Sequence, residues 1–596
     1  MTESILPWYE RELNFLRSQV YRLSREHPFL AKRLGIRHEG VDDPHMLRLI
    51  DSFALCNARL SRQLSEESTQ ISNNLLQVIF PMALQPLPSA SMIRIRPSES
   101  VPEVTALPHG TRFRMMNSED SFCQFKTTSE LQLCPFDIVA NQLLSPPYSL
   151  PLDKIPREAS SLLKLDLQML DPSRTFSSLP DFDSLNVHLQ GILKDHATVY
   201  DYIARHRCGI QLINEQGQSV ELPLSSISPI GFRQNDRMLT RDNTSFVDFQ
   251  IMMEFLCWPE FFNGFRISNL GNAFQQFDCS SLYLLIFLKD TTDSQEQIMK
   301  YVRLLLGCAP VINLFEQVAE PVVDDHTQLN YSLVPDSQSA NTIEIQSVLR
   351  VLDITEDTPS VLPPMYGLHH NEPHCERFWL YTPRDREYEE YGRLTVIAPE
   401  LNLDKNETRV FSPLLLCSNG DQPLKLPNNP EIECLDNFSL PSPVKILTRP
   451  TAPVLRSFNI KDRLNLLTHL SRNFESMLNF AQLNRPLRSL FTLYNLRQNP
   501  TSNTWLDSIT SLSAKPKVSS LLIEGRPCFS SGLEVTFTLD HSKLANVSIM
   551  MFVNFLDYLA NAMSGDQTFL QLVVKFEGQT GEYYRCTRHH GYQISR

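Results

Sequence analysis

The sequence predicts an α+β protein of several domains, with a helical N-terminal segment, β-rich middle domains and an α+β C-terminal domain. The chain has 596 residues, which is too long for one hydrophobic core, because single cores rarely grow beyond about 300 residues. Apolar residues recur at helical spacing in the first segment. Short alternating runs bounded by turn residues follow, and the C-terminal part mixes both patterns.

These patterns divide the chain into four predicted segments. The limits are 1–90 for the helical segment, 91–295 for a β-rich domain with an aromatic helical insert, 296–455 for a second β-rich domain, and 456–596 for the C-terminal domain. We find no internal repeat that would indicate a solenoid or a propeller.

The N-terminal segment is predicted to hold two helices. The first begins near Pro7 and ends at Pro28, since proline suits a first helical turn and stops a helix. The second runs from Pro44 to Phe80, and an unbroken helix of that length would span roughly 55 Å. A break near 65–68, giving two helices packed on the rest of the chain, remains the alternative.

The apolar stripes of these helices predict a contact with another protein. One shorter helix can hardly cover so long a stripe, and such helices usually find partners in a bundle. The residues that we expect to make this contact are Leu13, Leu16, Val20, Leu23, Leu47 and Ile50. The first helix also carries several arginines, which form either a solvated face or a contact with an acidic partner.

The remaining elements follow from the period of their apolar residues. Alternation predicts strands near 91–96, 123–128, 163–169, 533–539 and 570–576, with short strands between 331 and 416. Residues 107–113 are predicted to be a turn that enters another strand. Helical spacing predicts helices near 249–262, 296–308, 464–478 and 549–563. Proline-rich stretches at 145–156 and 423–453 should be extended connectors.

Composition excludes several classes of function. The formal net charge of −13 disfavours non-specific nucleic-acid binding, which depends on neutralising phosphates. Glycine is scarce, at 19 residues, and no phosphate-binding glycine motif occurs, so we expect no nucleotide cofactor. The longest apolar run, Leu282–Leu288, is too short to cross a bilayer. Without a visible signal peptide, and with 12 scattered cysteines that form no C-x-x-C, the chain is predicted to be soluble and cytoplasmic.

Two clusters could carry chemistry, and both are weak. The histidines and cysteine of 369–375 resemble a zinc site, but their spacing matches no standard finger, so a polar surface loop fits better and no metal is expected. Asp324, Asp325 and His326 could exchange protons, although no nucleophile motif accompanies them. A β-rich cytosolic hydrolase that uses either cluster remains an alternative.

A cluster of aromatic residues around Trp258 allows a third possibility. Phe255, Trp258, Phe261 and Phe262 lie close together in the sequence, and such clusters are usually core or subunit interface. If the cluster were exposed, it could instead make the chain a carbohydrate-binding β module.

Strings spread over nearly the whole chain resemble the wedge-protein family of type VI secretion baseplates, the TssF (ImpG or VasA) family. They stand in the family's order, and they lie at residues 8–13, 26–28, 42–45, 107–113, 123–128, 229–232, 258–262, 313–316, 319–321, 331–336, 417–423 and 467–474. Two local departures from the family pattern occur, at Gly420-Asp421 and at 584–588.

The resemblance implies a non-enzymatic structural subunit of a contractile injection machine. In that family two copies join one copy of a TssG-type sister subunit through an N-terminal helical bundle. The resulting wedges surround a VgrG-type spike hub, contact a TssE-type sheath initiator and neighbouring copies, and attach through a TssK-type adaptor to a membrane complex. No cofactor, nucleic acid or membrane insertion is implied.

Overall fold

The structure is a computed structural model, and it is described in segments along the whole chain. These are 5–29, 36–37, 40–41, 44–99, 104–119, 121–148, 150, 154–179, 182–239, 247–290, 293–325, 327–337, 342–365, 377–383, 392–397, 408–436, 438, 440–455, 464–468, 484–523, 526–562, 569–579 and 581–590.

The helices concentrate at the N-terminus and around the central core. In chain order they are α1 Leu6–Glu26, α2 Pro44–Ile79, α3 Leu193–His206, α4 Val247–Cys257, α5 Gly271–Phe274, α6 Asp293–Met299, α7 Asn484–Tyr494, α8 Pro500–Ser508 and α9 Ile549–Ala562.

Strands make up most of the rest of the chain. Up to residue 305 they are β1 Ile36–Arg37, β2 Gly40–Val41, β3 Ala90–Ile95, β4 Thr105–Leu107, β5 Arg112–Met116, β6 Phe122–Thr127, β7 Leu131–Leu133, β8 Phe136–Leu144, β9 Ser161–Met169, β10 Leu185–Gln190, β11 Arg207–Ile213, β12 Ser219–Leu222, β13 Ile227–Pro229, β14 Gly264–Ile267, β15 Ser281–Leu288 and β16 Arg303–Leu305. The later strands are β17 Cys308–Ile312, β18 Phe315–Val318, β19 Val322–Asp324, β20 Tyr331–Ser332, β21 Glu344–Asp353, β22 Ser360–Leu362, β23 Phe378–Thr382, β24 Arg393–Ile397, β25 Arg409–Ser418, β26 Ile432–Cys434, β27 Val444–Ile446, β28 Ile509–Ile523, β29 Arg526–Leu539, β30 Phe569–Phe576, β31 Glu582–Arg585 and β32 His589–His590.

Helix α2 is continuous over 36 residues, so the predicted long helix is confirmed and the alternative break near 65–68 does not occur. The N–H groups of the first helical turn have no partner within the helix, so the proline at the first position of α2 loses no hydrogen bond. At 1.5 Å per residue the helix is about 54 Å long. It is therefore much longer than the helices that pack within the body of the molecule.

The central body contains two hydrophobic cores: Phe113, Phe125 and Val311 belong to one, and residues of the other sheets share the larger one. Three sheets form most of the body. Their strand orders are β26-β5-β6-β17-β3-β27, β12-β11-β15-β9-β8 and β13-β14-β10-β16. The apolar run Leu282–Leu288 forms most of the inner strand β15, which is almost fully buried along its second half. A strand covered on both faces reads as continuous apolar sequence, as this one does.

A separate lobe follows β17. Its sheets have the orders β18-β25-β21-β22, with β19 also paired to β25, and β20-β24-β23. Phe315, Val351, Trp379 and Phe411 belong to the lobe's own hydrophobic core, distinct from those of the body. The predicted short strands between 331 and 416 therefore form a unit, although β21 and β25 are longer than expected.

The C-terminal part is α+β, as predicted. Its sheet has the order β28-β29-β30-β31, and the parallel pairing of β29 with β30 is bridged by α9, which packs on β30. The hairpin of β28 and β29 continues past Gly532, where the pairing with β30 ends. A side chain at Gly532 would collide with the backbone oxygen of Phe569, so only glycine permits this close approach.

The aromatic cluster around Trp258 is core, which confirms the preferred interpretation. Trp258 is fully buried, and its indole N–H donates to the hydroxyl of Thr451 at 3.2 Å. The ring of Phe255 stacks on Phe555 of α9 at 4.1 Å and on Trp505 of α8 at 5.1 Å. These rings therefore join the middle of the chain to its C-terminal part.

The predicted helix over 296–308 is wrong beyond Met299. Helix α6 ends at Met299, and β16 and β17 follow. Gly307 adopts a φ of +70° at the turn between these strands, and the backbone of Ile95 lies against it. This tight turn, together with pairing to neighbouring strands, overrides the weak helical pattern of the segment.

The strand pairing does not follow the predicted segment limits. Strand β17 pairs with β3, and β26 and β27 pair with β5 and β3, so residues from both sides of 295/296 share one sheet. Asn313 and Asn419 hold the junction through two mutual hydrogen bonds of 2.8 and 2.7 Å. Both asparagines also bond the backbone around β6, which lies next to β17 in this sheet.

A buried carboxylate attaches α9 to α3. Asp201 of α3 accepts hydrogen bonds from the backbone N–H groups of Ile549 and Met550, each at 2.9 Å, and from the hydroxyl of Ser548. Burial raises the pKa of Asp201 to about 6, although these donors favour the charged form. The carboxylate thus serves as an N-terminal cap supplied by a distant helix.

We predict that Asp201→Ala loosens the first turn of α9. Two buried N–H groups would lose their acceptor, at a cost of about 1–3 kcal/mol each. Hydrogen exchange should become faster at residues 549–552 while β15 is unchanged. Lys194→Ala, an exposed change on the same helix, is the control. Unaltered protection of 549–552 in Asp201→Ala would contradict this role.

Candidate partner interface

The two N-terminal helices pack against each other. Ala54 and Ala58 of α2 are fully buried, and their small side chains allow α1 to approach closely. The hydroxyl of Ser61 donates to Glu12 at 3.2 Å across the contact. Desolvation, together with a hydrogen bond to Asp51, raises the pKa of Tyr9. The pair is thus held by small apolar side chains and a few polar bonds.

The C-terminal end of α2 is anchored in the central core. Leu76 is fully buried and Phe80, directly after the helix, is 2% exposed. The ring of Phe80 lies 6.4 Å from that of Tyr494 in α7, and the side-chain amide of Gln77 donates to the backbone oxygen of Tyr381. The body and the lobe therefore both contact the base of this helix.

The structure places the predicted contact residues mainly between the two helices. Leu13, Leu16, Val20 and Leu23 lie half-buried on α1, and Ile50 lies half-buried on α2. Leu47, near the start of α2, is more exposed. The two helices therefore cover part of each other's predicted apolar stripe, which was expected to contact another protein. On α2 the fully covered positions are Ala54 and Ala58.

A second apolar stripe on α2 is uncovered. Leu49, Phe53 and Leu60 are 56%, 60% and 59% exposed, and Cys56 between them is also exposed. The spacing of four, three and four residues places these side chains on one face, as in the seam of a coiled coil. Phe15 on α1 is a further large exposed apolar side chain. This stripe was not predicted from the sequence, although the spacing of its residues indicates it.

One flank of the uncovered stripe is basic. Arg48 and Arg59 are exposed and form no ion pair with any residue that the structure describes. On α1, Arg22 pairs with Glu26 at 2.8 Å, and Arg11 lies over the ring of Trp8 at 4.8 Å. The surface next to the apolar stripe therefore favours acidic side chains on whatever covers it.

The candidate catalytic cluster around residue 325 is structural where it is described. Asp324 is buried in β19 and accepts a hydrogen bond of 2.7 Å from the hydroxyl of Tyr331. Asp325 caps the backbone and hydroxyl of Thr327. His326 and the histidines and cysteine of 369–375 lie outside the described residues.

The burial of the Trp258 cluster removes the surface that a carbohydrate-binding module would need. The described part of the chain contains no group of three or more His, Cys, Asp or Glu side chains that could hold a metal. Most of its cysteines are buried, and burial raises the pKa of the Cys123 and Cys417 thiols to about 12. No described helix is both long enough and apolar enough to cross a membrane.

Comparisons with known proteins agree over almost the full length of the chain. A family model described as "Type VI secretion system, TssF" matches residues 1–593. A curated relative, "Type VI secretion system component TssF1" of Pseudomonas aeruginosa, is 22% identical over 620 residues, covering 98% of each chain.

Two solved structures are similar in fold. A chain of a type VI secretion TssK-TssF-TssG baseplate subcomplex has a TM-score of 0.71 at 21% identity, covering 91% of this chain and 99% of the other. A chain of a type VI secretion baseplate complex has a TM-score of 0.58 at 18% identity, covering 98% and 99%. Identities this low support likeness of fold.

We predict that Ala54→Leu combined with Ala58→Leu separates α1 from α2. Larger side chains cannot fit at these fully buried positions, and overpacking costs about 1–3 kcal/mol per site. Hydrogen exchange over residues 6–26 should become faster. Ser52→Leu adds the same side chain on an exposed face of α2 and should leave α1 protected. Protection of α1 that survives the double change would refute the tight contact.

Proposed function

The chain belongs to the TssF family of type VI secretion baseplate components, and on that premise we propose that its helical pair joins a TssG-type sister subunit to form a wedge. The structural role in the baseplate follows from the family. The sister subunit is proposed because a similar solved chain belongs to a TssK-TssF-TssG subcomplex. The bundle is the part of the proposal that the geometry of α1 and α2 supports.

The uncovered stripe on α2 is the observation that carries this proposal. Burying Leu49, Phe53 and Leu60 against a partner helix would remove three large apolar side chains from water, at about 1.5–3 kcal/mol each when burial is complete. The seam spacing fits a helix better than a strand or a loop. The basic flank at Arg48 and Arg59 favours a partner helix with acidic residues beside its apolar seam.

The residues predicted from the sequence belong to the same bundle in this proposal. Helix α1 is held on α2 by the half-buried side chains of Leu13, Leu16, Val20, Leu23 and Ile50. The exposed parts of these side chains would contact the partner, and Leu47 would extend the contact toward the start of α2. A helix lying beside both α1 and α2 would complete the cover that one short helix cannot provide.

The remaining contacts complete the role of a wedge. We propose that two copies of the chain join one sister subunit, and that the wedges surround a VgrG-type spike hub. Further contacts go to neighbouring copies, to a TssE-type sheath initiator, which links the wedge to the contractile sheath, and to a TssK-type adaptor, which attaches it to the membrane complex. In this role the chain is cytoplasmic, performs no catalysis and holds its partners until the sheath contracts.

We predict that Leu49→Asp combined with Phe53→Asp abolishes co-purification with the sister subunit. Each charge would be buried without a partner in the bundle, at a cost of several kcal/mol. The stripe is exposed in the isolated chain, so the variant should keep the melting behaviour of the unchanged protein. Co-expression, affinity capture and mass spectrometry of the captured complex measure the effect.

Two further variants make this experiment specific. Val139→Asp combined with Val318→Asp adds the same two charges at exposed apolar positions away from α2 and should bind normally. Leu16→Asp should also prevent capture, because it disturbs the helical pair on which the partner rests. Normal capture of the Leu49 and Phe53 variant would argue against the bundle, while equal loss in the Val139 and Val318 variant would point to a general effect of the added charge.

A further inference from the structure

An apolar surface with a basic rim lies on the body, at the turn between β10 and α3. Ile192, Leu193 and Tyr301 are 71%, 50% and 70% exposed. Lys194, Lys300 and Arg303 beside them are also exposed. We call these six residues the basic patch. Clustered exposed apolar side chains with a polar rim are typical of interaction sites.

The backbone brings the two halves of the basic patch together. Gln190 pairs with Arg303 where β10 meets β16. A Cβ at Gly191 would lie 3.3 Å from the backbone oxygen of Tyr301, so the turn before α3 touches the turn before β16. Residues that are more than a hundred positions apart therefore form one continuous surface.

The charge of the basic patch contrasts with that of the chain. Lys194, Lys300 and Arg303 form no ion pair with any part of the chain that is described, whereas the whole chain carries −13. The nearest acidic side chains in sequence, Asp195 and Glu296, are half-buried, and Glu296 accepts a hydrogen bond from Ser145. The surface therefore attracts an acidic partner that also carries apolar side chains.

The lobe carries a surface that is acidic and also has exposed apolar side chains. The turn between β21 and β22 exposes Glu356 and Asp357, neither of which has an ion-pair partner among the described residues. Ile354 and Val361 are exposed beside them. We call these four residues the acidic tip.

The base of the acidic tip is rigid. Asp353 forms an ion pair with Arg409 at 2.9 Å and accepts hydrogen bonds from the backbone and hydroxyl of Thr355. The hydroxyl of Thr355 in turn accepts from the backbone N–H of Val410 at 3.0 Å. The chain is therefore held up to Thr355, and Glu356 and Asp357 follow directly after this fixed point.

We propose that the acidic tip of one copy of this chain docks on the basic patch of a second copy. Both surfaces are exposed within one chain, so a copy does not use its own tip to cover its own patch. Their charges are opposite and both carry exposed apolar side chains. Because the two surfaces differ, the contact is head-to-tail, and such contacts repeat into a closed ring when the rotation between copies allows it.

This inference deepens the proposed function, since it gives surfaces to the contact between neighbouring copies, but it is tested on the isolated chain. Sedimentation velocity over a range of concentrations should show reversible self-association that weakens as salt rises from about 0.05 to 0.5 M. Two variants reverse the charges. The patch variant is Lys194→Glu, Lys300→Glu and Arg303→Glu, and the tip variant is Glu356→Lys and Asp357→Lys.

Each variant alone should self-associate at least about ten-fold more weakly, because like charges then face each other. An equimolar mixture of the two should associate again, since the unchanged tip of the patch variant meets the unchanged patch of the tip variant. A chain that carries all five changes should also regain self-association. Arg96→Glu, Lys445→Glu and Lys515→Glu together change the net charge as much as the patch variant does and should have no such effect.

Several outcomes would overturn the proposal. Self-association that survives both charge reversals would do so, as would a mixture that fails to associate. Binding of the unchanged chain to phosphatidylserine vesicles, lost in the patch variant while the chain stays monomeric, would assign the basic patch to a lipid surface instead. Capture of the sister subunit by both variants keeps this test separate from that of the helical bundle.

Discussion

The burial of the last turn of α2 in the central core is the constraint on which the rest of the arrangement depends. Leu76 and Phe80 are enclosed by side chains of the body, and this fixes one end of a helix that is far longer than the core it enters. The other end must then find cover elsewhere. Helix α1 provides part of that cover, and the face that α1 does not reach remains apolar and exposed.

The body itself is joined by contacts between segments that are distant in sequence. Aromatic rings of α4, α8 and α9 stack on one another, so the C-terminal part completes the core of the middle part. Buried polar groups fix how these segments meet: Asp201 fixes α9 on α3, and the pair Asn313 and Asn419 fixes the lobe on the central sheet. An unmatched polar group in such places is costly, so these bonds select one arrangement among many that would be comparably apolar.

Much of this architecture could be predicted where one pattern dominated. The period of α2, the alternation of β9 and the apolar helix α9 were all readable, because burial in each case requires a periodic set of apolar residues. The structure of segment 296–308 could not be predicted in this way, since its strands depend on pairing with partners from other parts of the chain. For the same reason, the sequence did not predict that strands from before and after residue 295 pair within one sheet.

The candidate interface was predictable in kind but not in detail. Helix α2 carries two apolar faces, one through Ile50, Ala54 and Ala58 and one through Leu49, Phe53 and Leu60. Spacing alone cannot tell which face α1 covers, because that choice depends on the packing of small side chains at Ala54 and Ala58. The basic patch likewise joins residues from two turns, and only the pairing of β10 with β16 brings them together.

The continuity of α2 also has a mechanical consequence. A helix without proline or a bulge in its interior resists bending, so a displacement at one end is carried along its length. Since α2 is about 54 Å long, a tilt of about 10° at its base would move its first turn by about 9 Å. A small change in the packing of Phe80 against Tyr494 would therefore produce a movement several times larger at the N-terminal end of α2. A protein bound to that end would be displaced with it.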